Sequence, residues 1–389
     1  MENFEFLSPT RIIFGRATQS RVGDECKRYS NKILLHYGGG SIKQSGLYDQ
    51  VAQALHAAGM EFWELGGVQP NPRLSLVRQG IAICRQHEIG LILAVGGGSV
   101  IDSAKAIALG VPYAGDVWDF YANQAIPERN LPVGVVLTIA AAGSEASKSS
   151  VITNEAGWLK WGLNTELNRP RFAILNPELT YTVSAYQTAC GAVDIMAHIM
   201  ERYFTDVGQV DLTDRLCEGA LKTVIKNVPI ALAEPDNYDA RAELMWAGAL
   251  AHNDLLGTGR VGDWAAHQIE QELSAIYDVA HGAGLAVVFP AWMKYTLRRN
   301  LAKFMQFAVR VWDVEYDFQN PEQTAVEGIR RLEDFYRRIG MPLTLHELQV
   351  PDDRLEEMAA KAIKPWTSSV GAVSRFSKDD VLAVLKLAR

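Results

Sequence analysis

The sequence predicts an α/β unit followed by an all-helical one. Three observations carry that expectation. At 389 residues the chain exceeds one ordinary core and suits two domains of about 150 to 200 residues each. Up to Pro177, short apolar strand-like runs alternate with helical stretches, the pattern of a mostly parallel sheet wrapped by helices. Beyond Pro177 only helical periodicity remains. The boundary falls near Thr180 to Ser184, giving domains 1–182 and 183–389, with Ser184 placed to cap the first helix of the second.

The strand signals, in order, are NKILLHY, which ends in Gly38-Gly39-Gly40, then EFWELGG, LILAVGGG, VGVVLT, SSVIT and RFAILNP. Residues 47–58 and 73–86 read as helices between them. In such sheets ligands bind beyond the carboxyl ends of the strands, so the glycine loops at 38–40 and 96–98 are expected on one edge. In the second half, residues 184–203, 212–226, 240–256, 261–275, 282–295, 299–312, 324–339, 352–361 and 378–387 all read as helices.

Composition narrows the function classes. A hydrophobic fraction of 48% with 21% charged residues belongs to a globular protein, and the net charge of −7 comes from interspersed acids. No basic block offers a footprint for nucleic acid or an anionic membrane. There is no basic-then-apolar leader in MENFEFLSPTRIIF and no run of eighteen apolar residues, so a cytoplasmic location is expected. The four cysteines, Cys26, Cys84, Cys190 and Cys217, form no C-x-x-C pair, which argues against a disulfide scaffold or a cysteine-rich zinc lobe.

The most pointed local signal is LILAVGGGSVIDSAKAIAL, residues 91–109, where an apolar strand stops at three glycines and restarts as a helix. Gly96, Gly97 and Gly98 are expected to reach positive φ and approach a ligand closely, Ser99 to cap the helix, and Asp102 to sit in its first turn. Exposed N–H groups and the helix dipole favour an anion there, which suggests a nucleotide-type ligand. The spacing matches neither GxGxxG nor GxxxxGK[ST], and a tight structural turn is the alternative.

In AVDIMAHIMERYF, Asp194 and His198 stand four residues apart and share a helix face. With 45 acids in 389 residues and eight histidines, about one such pair arises by chance. Two further histidines strengthen it: His267 in WAAHQIEQEL, and His281 in AHGAGLAVVFP at the start of another apolar helix. One acid and three histidines suit a divalent cation of the zinc or ferrous type and leave positions open for water or substrate. From the residues alone, half-buried core histidines at 267 and 281 remain the competing reading.

The spacing Asp194-x3-His198, then His267, then His281 fourteen residues later, behind GGGSVIDSAK, resembles the iron-containing (group III) alcohol dehydrogenases. Within them it is similar to the NADPH-dependent butanol dehydrogenase and aldehyde reductase branch. The resemblance runs from FGRATQSRVGDE through KAIKPW. It implies a dehydroquinate synthase-like fold: an N-terminal Rossmann-like nucleotide-binding domain, a C-terminal helical domain and an active site in the cleft between.

Carried over by the resemblance, Asp194, His198, His267 and His281 match the metal ligands. Gly97, Gly98, Ser99 and Asp102 match the loop around the pyrophosphate and nicotinamide. Gly38, Gly39 and Ser41 match the loop at the adenosine ribose, and Asn71 in PNPR an adenosine-side position. Thr138 and Ser144, in LTIAAAGSEAS, match the second cofactor loop, and Lys160 a cofactor-contacting lysine. The family also implies a homodimer and a small alcohol or aldehyde substrate.

The cofactor choice has a physical argument of its own. A carboxylate near the ribose would accept hydrogen bonds from a 2′-hydroxyl and repel a 2′-phosphate. HYGGGSIK contains no acid but offers Ser41 and Lys43, so NADP(H) is expected over NAD(H). The metal would be iron or zinc, with nickel or cobalt also compatible with the donor set. One acidic ligand among three neutral histidines leaves the site net positive.

Two departures from the family pattern stand out. Gln271 replaces a histidine often treated as a proton relay; it cannot titrate, so water or a cofactor hydroxyl must serve. Ala142 replaces a threonine in the second loop, removing one phosphate hydrogen bond. Trp158, Trp161, Trp264 and Phe289 are candidates for an apolar pocket, or simply core. Two other readings remain: a metal-dependent lyase like dehydroquinate synthase, disfavoured because AVDIMAHIM and WAAHQIEQELSA hold no basic residue, and a non-catalytic nucleotide-binding module.

Overall fold

The computed structural model describes residues 1–389. They form two compact units: Leu7–Val183 with Pro235–Asn253, and Met1–Phe6 with Ser184–Glu234 and Asp254–Arg389.

The first unit is built on eight strands: β1 (Arg11–Phe14), β2 (Lys32–Tyr37), β3 (Glu61–Leu65), β4 (Leu91–Gly96), β5 (Val133–Leu137), β6 (Ser149–Asn154), β7 (Leu159–Asn164) and β8 (Phe172–Leu175). Six of them make one parallel sheet in the order β1-β8-β5-β4-β2-β3. Both faces of the sheet are covered. Leu91, Leu93 and Val95 point into one apolar cluster with Val51 and Leu55, while Ile92 and Ala94 point into another with Ile101 and Ile107. Burial on both sides is why these strands read as unbroken apolar runs rather than alternating ones.

Topology fixes where a ligand can sit. From β2 the chain winds to β3 on one side, and from β4 to β5 on the other, so the winding reverses between the adjacent strands β2 and β4. Pairing of Tyr37 with Val95 and of Gly96 with Leu137 brings the carboxyl ends of β2, β4 and β5 level. The loops that follow them open side by side at the switch point, the usual ligand crevice of such sheets.

Three elements differ from the sequence expectation, and one of them, β7, was not among the expected strands. SSVIT does not join the parallel sheet: it is β6, paired antiparallel with β7. The short connection explains this, since Gly157 and Trp158 take φ of 90° and 51° and Asn154 Oδ1 accepts from Ala156 N, a turn too tight for a parallel crossover. β1 was not among the expected strands; at four residues and on the sheet edge it carries little pattern.

The second unit is helical. Its first helix, Ala185–Tyr203, is capped by Ser184, whose Oγ accepts from Gln187 N at 3.2 Å, and every residue from Thr188 to Tyr203 is buried. Asp211–Ala233, Ala265–Tyr277, His281–Thr296, Leu301–Trp312, Pro321–Arg338, Leu355–Ala362 and Lys378–Leu387 follow. The two units depart from the expected 1–182 and 183–389 in two places: Met1–Phe6 goes with the helical unit, and the helix Tyr238–His252 belongs to the first unit. Gly143, at φ +65°, approaches it so closely that a Cβ would stand 2.5 Å from Gly248 O, while Trp246 meets Phe14 edge-on at 6.2 Å. Helical periodicity says that a helix forms, not which core receives its apolar face.

Candidate functional site

Residues from three helices of the second unit meet at one carboxylate. Asp194 and His198 lie on Ala185–Tyr203, His267 on Ala265–Tyr277, and His281 opens His281–Thr296. Asp194 Oδ1 stands 3.9 Å from His267 Nε2 and 3.7 Å from His281 Nε2, and the three ligand atoms all lie within 4.8 Å of one another. Tetrahedral bonds of roughly 2.0–2.1 Å would set neighbouring donor atoms about 3.4 Å apart, so the spacing suits one small cation. Asp194 Oδ1 and His267 Nε2 are also buried without a hydrogen-bond partner, an arrangement that a cation would satisfy.

His198 stands beside these three rather than among the converging atoms. Its ring centre is 4.6 Å from that of His267, and Nδ1 lies 2.8 Å from the backbone carbonyl of Asp194 and 3.2 Å from its Oδ1. A carbonyl only accepts, so Nδ1 carries the proton and Nε2 the lone pair. That is the tautomer a metal ligand requires.

Two buried acids that the sequence reading did not single out stand behind the histidines. Glu201 Oε1 accepts from His267 Nδ1 at 2.8 Å and from His267 N at 2.9 Å, and its Oε2 accepts from Trp264 N at 2.6 Å. Glu270 pairs with His281 Nδ1 and with Ser274 Oγ. Two further carboxyl groups thus lie one hydrogen bond from the ligand set, beyond the single acid on which the net-positive expectation was counted. Both acids were visible in MERYF and HQIEQEL, but helical spacing alone gives no reason to prefer them over other acids.

The electrostatics follow from burial and neighbours. Burial pushes the Asp194 carboxyl up, but His198, His281 and His267 outweigh it and hold the group well below the usual carboxylate range. Burial, then the neighbouring His198 and His281, keep His267 well below the ordinary imidazole value. Burial lifts Glu201 to about 7, against the N–H groups of His267 and Trp264. Of the four aromatic candidates, Trp264 adjoins the cluster, 5.3 Å from His267 and 5.9 Å from His198 between ring centres. Trp161 and Phe289 are core side chains, and Trp158 is exposed.

In the first unit, the turn after β4 departs from the expected glycine geometry. None of Gly96, Gly97 and Gly98 has positive φ. What they supply is room: a Cβ would lie 2.5 Å from Val100 Cγ2 at Gly96, 2.3 Å from Ile139 Cγ2 at Gly97 and 3.0 Å from the Ala142 methyl at Gly98. Nor does Ser99 cap the helix, because the helix begins at Gly98 and Gly97 occupies the cap, its carbonyl receiving Val100 N and Ile101 N. With Val100 N and Ile101 N so paired, the N–H groups of Gly98 and Ser99 are the ones left without an acceptor inside the helix, the feature by which such a turn can receive an anion. In the neighbouring loop Gly40 has φ +133°, a Cβ on Gly39 would meet nothing within 4 Å, and Ser41 is exposed.

Several other candidates are drawn together, with part of their bonding spent on structure. Asp102 accepts from Ser144 Oγ at 2.6 Å and from Val151 N at 2.9 Å, so it ties the Gly98–Gly110 helix to the second loop. Ser144 is buried and also receives Lys105 Nζ, which donates in addition to Ser144 O, Ser147 O and Ser149 O. Burial pushes the Lys105 ammonium down to about 8 even with Asp102 and Glu145 nearby. Lys160 Nζ donates to Asn71 Oδ1 at 2.8 Å, joining two candidates 89 residues apart. Thr138 extends the β5 pairing, its N–H reaching Gly96 O at 3.1 Å.

The cation invoked beside the ribose loop is not alone. Glu64, from β3, lies 3.4 Å from Lys43 Nζ and accepts from Tyr37 OH at 2.7 Å and Tyr48 OH at 2.5 Å. A search for acids within HYGGGSIK misses it, because it arrives from the adjacent strand.

A switch-point glycine cradle beside a parallel sheet and an Asp-His cluster on buried helices together describe a metal-containing, dinucleotide-linked dehydrogenase. Residues 9–177 match the iron-containing alcohol dehydrogenase family and residues 188–389 its C-terminal domain; the chain belongs to that family. It is 46% identical to the probable NADH-dependent butanol dehydrogenase 1 of Bacillus subtilis over 386 residues, 99% of each chain. It is 33% identical to the NADPH-dependent aldehyde reductase YqhD of Escherichia coli, covering all of both chains. The crystal structure of an NADH-dependent butanol dehydrogenase A from Thermotoga maritima superposes with a TM-score of 0.96 at 40% identity, over 100% of this chain and 99% of that one.

Proposed function

We propose that this enzyme transfers a hydride between a nicotinamide dinucleotide and a short- to medium-chain primary alcohol or its aldehyde. Asp194, His198, His267 and His281 would hold a divalent cation, iron or zinc by donor type. The observation that carries the reading is the meeting of Asp194 Oδ1, His267 Nε2 and His281 Nε2, with two of these atoms buried and unsatisfied. When bound, the cation supplies Lewis-acid stabilisation of the charge that develops on the substrate oxygen.

The chain's own residues do the rest. Glycines 97 and 98 let backbone approach the pyrophosphate, and the N-terminus of the Gly98–Gly110 helix offers its N–H groups to it. Gly38, Gly39 and Ser41 would face the adenosine ribose, with the Asn71–Lys160 pair on the same nucleotide. Gln271 cannot move a proton, so the alcohol proton must leave through water or a cofactor hydroxyl.

For the choice of nucleotide we propose NADP(H), on the absence of an acid within the loop and the presence of Ser41 and Lys43. A second reading, NAD(H), is favoured by the Glu64 carboxylate beside Lys43 and by the relatives named NADH-dependent at 46% and 44% identity. Purified, metal-quantified enzyme oxidising NADPH and NADH with butanal tests both levels. Stoichiometric turnover is expected, and kcat/KM higher with NADPH supports the first choice while the reverse order supports the second. Absence of turnover with either nucleotide would return the chain to the lyase or binding-module reading.

A further inference from the structure

We propose that Glu270 is a positioning residue for the metal centre: its carboxylate fixes His281 with Nε2 turned toward Asp194 and raises the basicity of that imidazole. The inference rests on the metal reading given under Proposed function. It begins from an acid that is completely buried in the Ala265–Tyr277 helix, three residues after His267 and one turn before Ser274. Its two oxygens are divided between His281 Nδ1 and Ser274 Oγ. The second nitrogen of His281 then lies 3.7 Å from Asp194 Oδ1.

The surroundings are shaped for this carboxylate. Gly284, one turn into the helix that His281 opens, has no side chain where a Cβ would stand 2.6 Å from Glu270 Oε1 and 2.8 Å from its Cγ. A methyl there would collide with the oxygen that faces Ser274 and with the Cγ that carries the carboxylate, so the group could not keep its place between Ser274 and His281, and Gly284 and Glu270 act as one unit. The three histidines also differ in what receives their Nδ1 proton: a backbone carbonyl for His198, and carboxyl groups for His267 and His281. A carboxylate partner locks the ring and makes the opposite nitrogen a stronger donor to a cation, which a carbonyl does less. Glu201 does the same for His267 but also receives the backbone N–H groups of Trp264 and His267 at the start of their helix, so removing it perturbs the helix itself. Glu270 receives a side-chain hydroxyl, Ser274 Oγ, rather than these backbone N–H groups, and Glu270→Gln keeps its size, so that substitution is the more conservative probe of the cation.

The experiment uses full-length enzyme stripped of metal and titrated with Co2+ against a competing chelator. Wild-type protein should bind one Co2+ with a visible absorption band characteristic of nitrogen and oxygen ligation. Glu270→Gln should weaken Co2+ by about 10- to 100-fold and shift the band, with the melting temperature of the metal-free protein little changed. Gly284→Ala should weaken Co2+ comparably in the wild-type background and add no further loss in Glu270→Ala, since the methyl then has no carboxylate to displace. If wild type binds Co2+ while Glu270→Gln and Glu270→Ala bind within threefold of it and with the same band, Glu270 does not position His281 and the inference falls while the metal centre stands. If wild type binds no Co2+ at all, the metal reading itself fails and this inference with it.

Discussion

His36 gives the sharpest stability prediction. It is wholly buried at the end of β2, with Nδ1 2.8 Å from Leu65 O and Nε2 2.9 Å from Ser103 Oγ, so one ring links β2, the end of β3 and the Gly98–Gly110 helix beside the nucleotide loops. Leu65 O can only accept, so the neutral ring donates from Nδ1 and accepts the Ser103 hydroxyl at Nε2. Burial lowers its pKa from the ordinary 6.5 to about 4, with the Leu65 carbonyl opposing. Because the folded value lies below the unfolded one, acid protonates the unfolded chain first. The stabilisation is complete above pH 6.5 and is lost as pH falls toward 4. Linkage across this shift removes about 2 kcal/mol by pH 5 and about 3 kcal/mol by pH 4.

The perturbation that isolates this is His36→Gln, which stays neutral at every pH. Hydrogen exchange of the Lys32–Tyr37 amides reads the opening free energy of this strand without requiring the whole chain to unfold at once. Other titrating groups cancel in the difference between the two proteins. The wild-type advantage should shrink by about 2 kcal/mol between pH 7.5 and pH 5. A difference that stays constant across that range would refute the assignment of a buried, neutral His36.

Other expectations follow from single contacts. Gly97→Ala places a methyl 2.3 Å from Ile139 Cγ2 and should raise the Kd for the dinucleotide at least tenfold by fluorescence titration, with partial rescue by Ile139→Ala. Lys105→Met leaves the carbonyls of Ser144, Ser147 and Ser149 without this donor and should destabilise by about 3 kcal/mol in urea unfolding at neutral pH. Asp194→Asn or His267→Ala should abolish recovery of activity after chelation and metal reconstitution, and full recovery in either would remove the proposed ligand set.

Much of the site was legible because its chemistry is local in sequence. The β4 turn, LILAVGGG, announces itself by an apolar run ending in glycines, and Asp194-x3-His198 shares a helix face wherever that helix packs. Other features were not legible because they depend on neighbours distant along the chain. Whether Gly97 is needed for φ or for space depends on Ile139, and Ser99 lost its expected capping role to a helix start two residues earlier.

A family resemblance singled out Asp194, His198, His267 and His281; by itself the sequence determined the α/β and helical halves and the switch from strand–helix alternation to helices near Ser184. These follow from periodicity and residue chemistry, which act over a few residues. Only the tertiary structure decided that Tyr238–His252 belongs with the sheet, that Glu64 reaches Lys43 from the neighbouring strand, and that Glu201 and Glu270 stand behind His267 and His281. A buried carboxylate is specified by what surrounds it, and those surroundings are brought together only when the helices pack.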